Sequence, residues 1–259
     1  RDPYAIYARH ILKLQPLDPL GRQPDALERG TVLHAVLADL VRRLPNPVPA
    51  ELSGDMRARM DDILTELAPW PAVRAQWRAR LLGAMAWFLR EEAERRVFGQ
   101  PIGLEAKGAT SFDIAGQAFT LSATADRIDR APDGRLALYD YKSGSSPSQT
   151  EVNTTAIQLP LEELIANAGG FKDIAAGAVE TFAYILMGEQ KSVSPNAKNT
   201  LAEGFFEAFT AFLTAYADPN RGYTARARHD LQKFDGDFDH LSRLGEWDDG
   251  MDPTGEVLK

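Results

Sequence analysis

The sequence contains no cysteine. Disulfides, thiolate-bound zinc and cysteine-ligated iron–sulfur clusters are therefore excluded. No apolar run approaches the roughly 18 residues that a membrane-spanning helix needs, and no secretory signal is visible. A cytoplasmic location without a membrane partner is expected. Basic residues are in deficit: 29 Lys and Arg stand against 37 Asp and Glu, a net charge of −8. That balance argues against a broad nucleic-acid-binding surface, because phosphate contacts need Lys and Arg. It leaves room for a local basic groove, or for a nucleic-acid path on a partner subunit. The rest of the composition is ordinary for a globular protein, with 44% hydrophobic and 25% charged residues. The 259 residues suit one large domain or two small ones, with a sizeable core. The first residue is Arg1 rather than Met, so a piece of a longer chain is expected.

The stretch from Ala125 to Gly144, A-D-R-I-D-R-A-P-D-G-R-L-A-L-Y-D-Y-K-S-G, organises the rest. Leu136–Tyr141 is rich in aliphatic and aromatic residues and reads as a strand. Pro132-Asp133-Gly134 is a turn signal, and Leu121–Arg130 supplies the partner strand. A hairpin centred on Asp133 sets Asp126 opposite Asp140. Alternation then puts Asp140, Lys142 and Asp126 on one face, with Tyr141 and Asp129 on the other. Facing carboxylates repel, and a divalent cation between them removes the penalty. A lysine two residues on can hold or activate a water at that cation. The plainer alternative is that Asp and Lys at a strand end are solvated surface residues.

Asp2 and Pro3 form an N-cap and first-turn pair before a short amphipathic helix carrying Tyr4, Tyr7, Ile11 and Leu14. Arg9, His10 and Lys13 cluster on it, and prolines between Pro16 and Pro24 mark a loop. Leu27–Leu44 is a strong helix with an apolar stripe. Gly30 interrupts it, either weakening the helix or allowing a close backbone approach. His34 reads as a core histidine unless this helix packs near the hairpin. Asp55–Leu67 and Val73–Phe98 are scaffold helices, the second ending in Glu91, Glu92, Arg95 and Arg96 on a wet face. Leu104–Ala106, Thr110–Ile114 and Gln117–Ala123 are strands, with Ala115-Gly116 as a hairpin turn. Ser143–Ser148 is a loop and Thr155–Asn167 a helix. Gln158 in its first turn is either exposed or reaches back toward the strand ends. Val179–Met187 is a strand, and Asn199–Ala217 a helix whose phenylalanine stripe is expected in the core. The tail from Tyr223 to Trp247 holds His229 and His240, without metal-ligand spacing.

Four motifs occur in order: G-T-V-L-H at Gly30–His34, Asp126, D-Y-K at Asp140–Lys142, and Q-L-P-L-E from Gln158. Their succession resembles the RecB-like branch of the PD-(D/E)XK nucleases. The opening D-P-Y-A-I-Y and the A-D-R-I-D-R hairpin look most like the C-terminal nuclease domain of AddB, in the AddAB helicase–nucleases of bacterial double-strand-break repair. The likeness covers essentially the whole chain. Two departures stand out. Many AddB domains carry a cysteine-held iron–sulfur cluster, one ligand falling at the position of Asp2 here, so no such cluster is expected. The family often has Tyr four residues after the glutamine, where this chain has Glu162.

The resemblance implies an α/β (α+β) fold, a mixed central sheet flanked by helices with extra N- and C-terminal helices. Residues 1–100 would form a helical part, 101–190 the catalytic sheet and helix, and 191–259 a C-terminal helix and tail, packed as one domain. It implies that Asp126 and Asp140 bind Mg²⁺ (or Mn²⁺), with the Tyr141 carbonyl as a further ligand and His34 approaching the metal. Lys142 would orient or activate the attacking water, and Gln158 would steady the site or the scissile phosphate. Asp129 is left as a structural or outer-shell residue. The implied activity is metal-dependent DNA hydrolysis, exonucleolytic, on single-stranded ends. The implied partners are an AddA-like subunit and the remainder of an AddB-like chain. Two other readings stay open: a non-catalytic relative that binds DNA or a partner, and a nuclease of this fold from another system.

Overall fold

The middle of the chain folds into a sheet of five strands: β1 (Gln100–Ile114), β2 (Gln117–Arg130), β3 (Leu136–Lys142), β4 (Val179–Leu186) and β5 (Lys191–Val193). They lie side by side in chain order. The pairs β1–β2, β2–β3 and β4–β5 are antiparallel, and β3–β4 is parallel. The coordinates are a computed structural model that describes residues 2–16, 24–143, 157–194, 204–225, 236–243 and 246.

Local chemistry explains the joints. Ala115 and Gly116 both take positive φ, 52° and 78°, the two-residue turn whose twist matches antiparallel strands. Gly134, at φ 92°, closes the β2–β3 turn, and its N–H donates to the Ala131 carbonyl at 2.9 Å. A parallel pair cannot be joined by a tight turn. Helix α5 (Gln158–Asn167) lies in the crossover between β3 and β4.

Helices α2 (Ala26–Arg43), α3 (Gly54–Leu67) and α4 (Pro71–Phe98) precede the sheet. Asp25 and Glu28 form a reciprocal capping box at the start of α2, and Ser53 caps α3. Their apolar faces bury against Ala137, Tyr139 and Tyr141 of β3 and against Ala183 and Ile185 of β4. Alternate residues Leu136, Leu138, Phe182 and Tyr184 point to the other face, where Leu159 and Ile165 of α5 meet them. The sheet is thus covered on both sides. The mixed α/β architecture agrees with the expected fold class.

Several expectations need correction. Leu104–Ala106 and Thr110–Ile114 are not separate strands but parts of β1. The end of α4 is not a wet face, since Glu92 is fully buried and Arg95 nearly so. Gly30 faces open space, with nothing among the described residues within 4 Å of an added Cβ, so none of their backbone approaches it. Strand β5 has too little apolar alternation to stand out in the sequence.

Among contacts the chain divides into two compact units, Gln23–Phe205 and Arg1–Arg22 with Phe206–Lys259. The first contains the sheet. In the second, α1 (Pro3–Ile6) is capped by Asp2, whose carboxylate accepts from the Ala5 N–H, and runs into a π-helical turn over Tyr7–Ile11. Arg9 is bound to Asp237 at 2.7 Å. Helix α6 (Phe205–Ala217) buries none of its residues, and Phe212 is 58% exposed. The phenylalanine stripe expected in the core is therefore not there. The proline-marked loop over 17–23, residues 144–148 of the Ser143–Ser148 loop, the first residues of the expected helices (155–156 and 199–203), His229 and Trp247 lie outside the described residues.

Candidate active site

Three carboxylates form a row across the sheet. The β1–β2 register pairs Leu104 with Arg127 and Ala106 with Ala125, which sets Glu105 beside Asp126. The β2–β3 register pairs Arg127 with Tyr139, and one residue further it brings Asp126 level with Asp140. Glu105 has a φ of 53° within the strand, a left-handed conformation that L residues adopt at a cost and that clusters at functional sites. Asp126 and Asp140 are almost fully buried.

His34 reaches this row from α2. Its Nε2 lies 2.7 Å from the Tyr141 carbonyl oxygen, and its Nδ1 lies 3.2 Å from Asp126 Oδ1 and 3.9 Å from Glu105 Oε1. Burial alone would depress the imidazole pKa. The hydrogen bond and charge of Asp126 outweigh it, with help from the Tyr141 carbonyl and Glu105, and raise it to about 9. The second oxygen of Asp126 accepts the Tyr141 N–H at 2.7 Å. Glu105 is also raised, first by burial and then by Asp126.

On the neighbouring flank Lys142 Nζ donates to Asp140 Oδ1 at 3.0 Å and to Gln158 Oε1 at 3.2 Å. Gln158 in turn donates through Nε2 to Glu162 at 3.0 Å. Asp140 Oδ2 lies 2.8 Å from the same lysine nitrogen, too poorly aligned for a hydrogen bond, and is buried with no other partner among the described residues. Burial, opposed by Lys142 and reinforced by Asp126, raises Asp140 to about 6. Glu162 is raised to about 8, again chiefly by burial, with Gln158 opposing and Asp140 reinforcing. Its Oε2 is buried without a hydrogen-bond partner among the described residues.

Beneath the row, on the α4 side, lies a buried ionic cluster. Arg127 is fully buried and grips Asp129 with two bonds of 2.6 and 2.7 Å. It grips Glu92 through Nη1 and Nη2, and its Nη1 also reaches the Tyr141 hydroxyl at 3.4 Å. Burial would raise Glu92, but Arg127, Arg95 and Arg96 hold it below the ordinary carboxylate range. Asp129 is raised, because burial outweighs Arg127 there. Alternation put Asp129 off the face of Asp126, and that is where it sits.

The sequence-predicted residues His34, Asp126, Tyr141, Asp140, Lys142 and Gln158 are therefore contiguous. They divide into two linked groups. One ligand atom each from His34, Glu105 and Asp126 lie within 4.8 Å of one another, a nitrogen and two carboxylate oxygens that suit a divalent cation. Asp140 instead holds Lys142. Glu105 was missed, though the Ala115-Gly116 turn already implied its register with Asp126. The Glu92 cluster was missed as well, since nothing in the helical periodicity shows which charged residues a sheet will cover.

Comparison with known proteins adds the lineage. An uncharacterized protein of Rickettsia bellii is 28% identical over 172 residues, covering 66% of this chain and 21% of that protein. One of Rickettsia typhi is 27% identical over 186 residues, covering 70% and 22%. The chain thus spans about a fifth of the length of the curated relatives it matches. The crystal structure of SSO0001 aligns with 73% of this chain and 86% of its own, at 14% identity and a TM-score of 0.28. A family profile, PD-(D/E)XK nuclease superfamily, matches residues 3–252. The chain belongs to that superfamily, whose members are generally metal-dependent nucleases.

Proposed function

We propose that this chain is a Mg²⁺-dependent DNA nuclease domain, with Mn²⁺ as the alternative metal. The observation that carries the reading is the meeting of His34, Glu105 and Asp126 beside the Asp140–Lys142 pair. His34, Asp126, Asp140 and the Tyr141 carbonyl are the proposed metal ligands, with Glu105 added to them. A bound divalent cation would polarise the phosphoryl oxygen and acidify water. Lys142 has three N–H donors, of which two go to Asp140 and Gln158. The third is available to orient the attacking water or to meet a phosphate oxygen as charge develops. Gln158 holds the lysine in place. The water's oxygen bonds to phosphorus as the bond to the departing sugar oxygen breaks, and that oxygen leaves with a proton.

The proposed setting is an exonuclease subunit of a helicase–nuclease acting in double-strand-break repair. The AddB-like motifs support it, as does the acidic charge, which favours receiving single-stranded DNA from an AddA-like motor over gripping it unaided. The remainder of an AddB-like chain is the other proposed partner. The test is incubation of purified protein with linear DNA, with and without Mg²⁺, beside Asp140→Asn. Metal-dependent cleavage absent from the variant is expected. Wild-type binding of DNA without cleavage in Mg²⁺ or Mn²⁺ would establish the non-catalytic reading instead. Glu105→Gln should weaken Mn²⁺ binding measured by calorimetry, and unchanged affinity would remove Glu105 from the ligand set.

A further inference from the structure

A cavity of about 340 Å³ opens between α2, α4 and the C-terminal ends of the parallel strands β3 and β4. Its walls are apolar, with Leu33, Trp77, Leu81 and Met187, and Arg29 and Arg80 also line it. It adjoins the active site through the backbone. Leu33 precedes His34, Ser143 follows Lys142, and the Met187 N–H donates to the Lys142 carbonyl at 3.3 Å. Arg29 reaches Ser143 Oγ at 3.4 Å.

The two arginines differ from many others in this unit. Arg43 and Arg59 are bound to Asp39, Arg78 to Asp61, and Arg127 to Glu92 and Asp129. Arg29 and Arg80 have no acidic partner among the described residues, and no Asp or Glu is among the described residues lining the cavity. In a chain of net charge −8, two guanidinium groups with no acidic partner among the described residues, set beside an apolar hollow, point to an anionic ligand. An apolar wall that includes a tryptophan takes a nucleobase, and arginines take its phosphates. The volume lies within the range of small-molecule sites, and the carboxyl ends of parallel strands are where such ligands bind.

We propose that this cavity seats one nucleotide of a single-stranded DNA, adjoining the scissile phosphate, with its base against Trp77 and Met187 and its phosphates on Arg29 and Arg80. The inference rests on the nuclease reading of the neighbouring site. It also gives the acidic chain a local means of holding its substrate.

The test is binding, measured by fluorescence anisotropy in chelator so that no cleavage intervenes. The probe is labelled pentathymidylate, compared with an abasic chain of equal length. One variant is Arg29→Ala with Arg80→Ala. The other is Gly83→Leu. Gly83 lines the cavity in the middle of α4, and a Cβ there meets nothing within 4 Å among the described residues, so a leucine is accommodated without displacing the helix and narrows the cavity mouth. Wild-type protein should bind pentathymidylate at least about tenfold more tightly than either variant. The double-arginine variant should lower the slope of log K against log salt by about 1.4, at about 0.7 per phosphate contact on a single strand. Gly83→Leu should weaken binding without lowering the melting temperature. Unchanged affinity in both variants, equal affinity for the abasic chain, or no binding by wild type would each overturn the proposal. The nuclease reading fails separately, if wild type binds through the cavity but cleaves DNA in no divalent metal.

Discussion

The imidazole of His34 and the backbone carbonyl of Tyr141 lie 2.7 Å apart across 107 residues of sequence. With Nδ1 beside Asp126, the ring can donate from both nitrogens, which is why its pKa rises to about 9. A cation bound by the same oxygens must compete with that proton. The folded pKa exceeds the ordinary value of 6.5. The resulting stability is therefore fully present below pH 6.5 and lost as pH rises through about 9. In chelator, the melting temperature of wild type minus that of His34→Gln should shrink steadily from pH 6 to pH 10. Glu162 titrates in both proteins and cancels, whereas Asp140 and Glu105 lose the His34 charge in the variant, so the difference reports His34 together with the carboxylates it faces. A difference independent of pH would contradict the assignment.

Asp140→Asn and Lys142→Ala should separate activity from stability. Each should reduce cleavage by about 10²-fold or more, the scale of losing a charge-stabilising group in a reacting site. Burial raises Asp140 to about 6, so its ionised form at pH 7 is held at a cost to folding. Asparagine removes that cost, and the melting temperature of Asp140→Asn at pH 7 should equal or exceed that of wild type. Cleavage assays paired with thermal melts check both halves. Loss of activity with a lower melting temperature would mean that Asp140 supports the fold instead.

The hairpin was legible because a two-strand register follows from its turn. Asp133 as the centre sets Asp126 level with Asp140, and the observed ladder has that register. The same arithmetic from Ala115-Gly116 sets Glu105 level with Asp126, yet Glu105 reads as an ordinary strand residue until its neighbour is known to matter. His34 could be placed only by resemblance, since no local rule tells a helix which strand end it will meet. The burial of Glu92 and Arg95 is not legible, because charge pairs at helical spacing look alike in water and beneath a sheet. What distinguishes them is Arg127, a residue 35 positions from Glu92.

Gly30 offers a clean test of helix propensity. It lies within α2 with a helical φ and with open space where a Cβ would go. Glycine in a helix interior is worse than alanine by about 1 kcal/mol. Gly30→Ala should stabilise the protein by about that amount in denaturant titration, with an unchanged m-value. A destabilised variant would show that the position is occupied in solution.

The Arg127 cluster sets the last prediction. Removing the guanidinium leaves Glu92 and Asp129 facing each other with no exposure to water. Arg95 and Arg96 still contact Glu92, but among the described residues Arg127 alone hydrogen-bonds both acids. Breaking one side of a buried ion pair costs about 3–5 kcal/mol, mostly through the uncompensated charge. Arg127→Met should lower the unfolding free energy by that much at pH 7. Adding Asp129→Asn to it should recover part of the loss, because the orphaned charge is then gone. Glu92 is held below the ordinary carboxylate range. Its contribution to wild type is therefore present above the unfolded carboxylate pKa and lost as pH falls through the folded one. The penalty of Arg127→Met should accordingly shrink in acid. Chemical denaturation of the three proteins at pH 7 and pH 4 checks each point. Equal stability of wild type and Arg127→Met at pH 7 would show that the cluster does not hold β2 and α4 together.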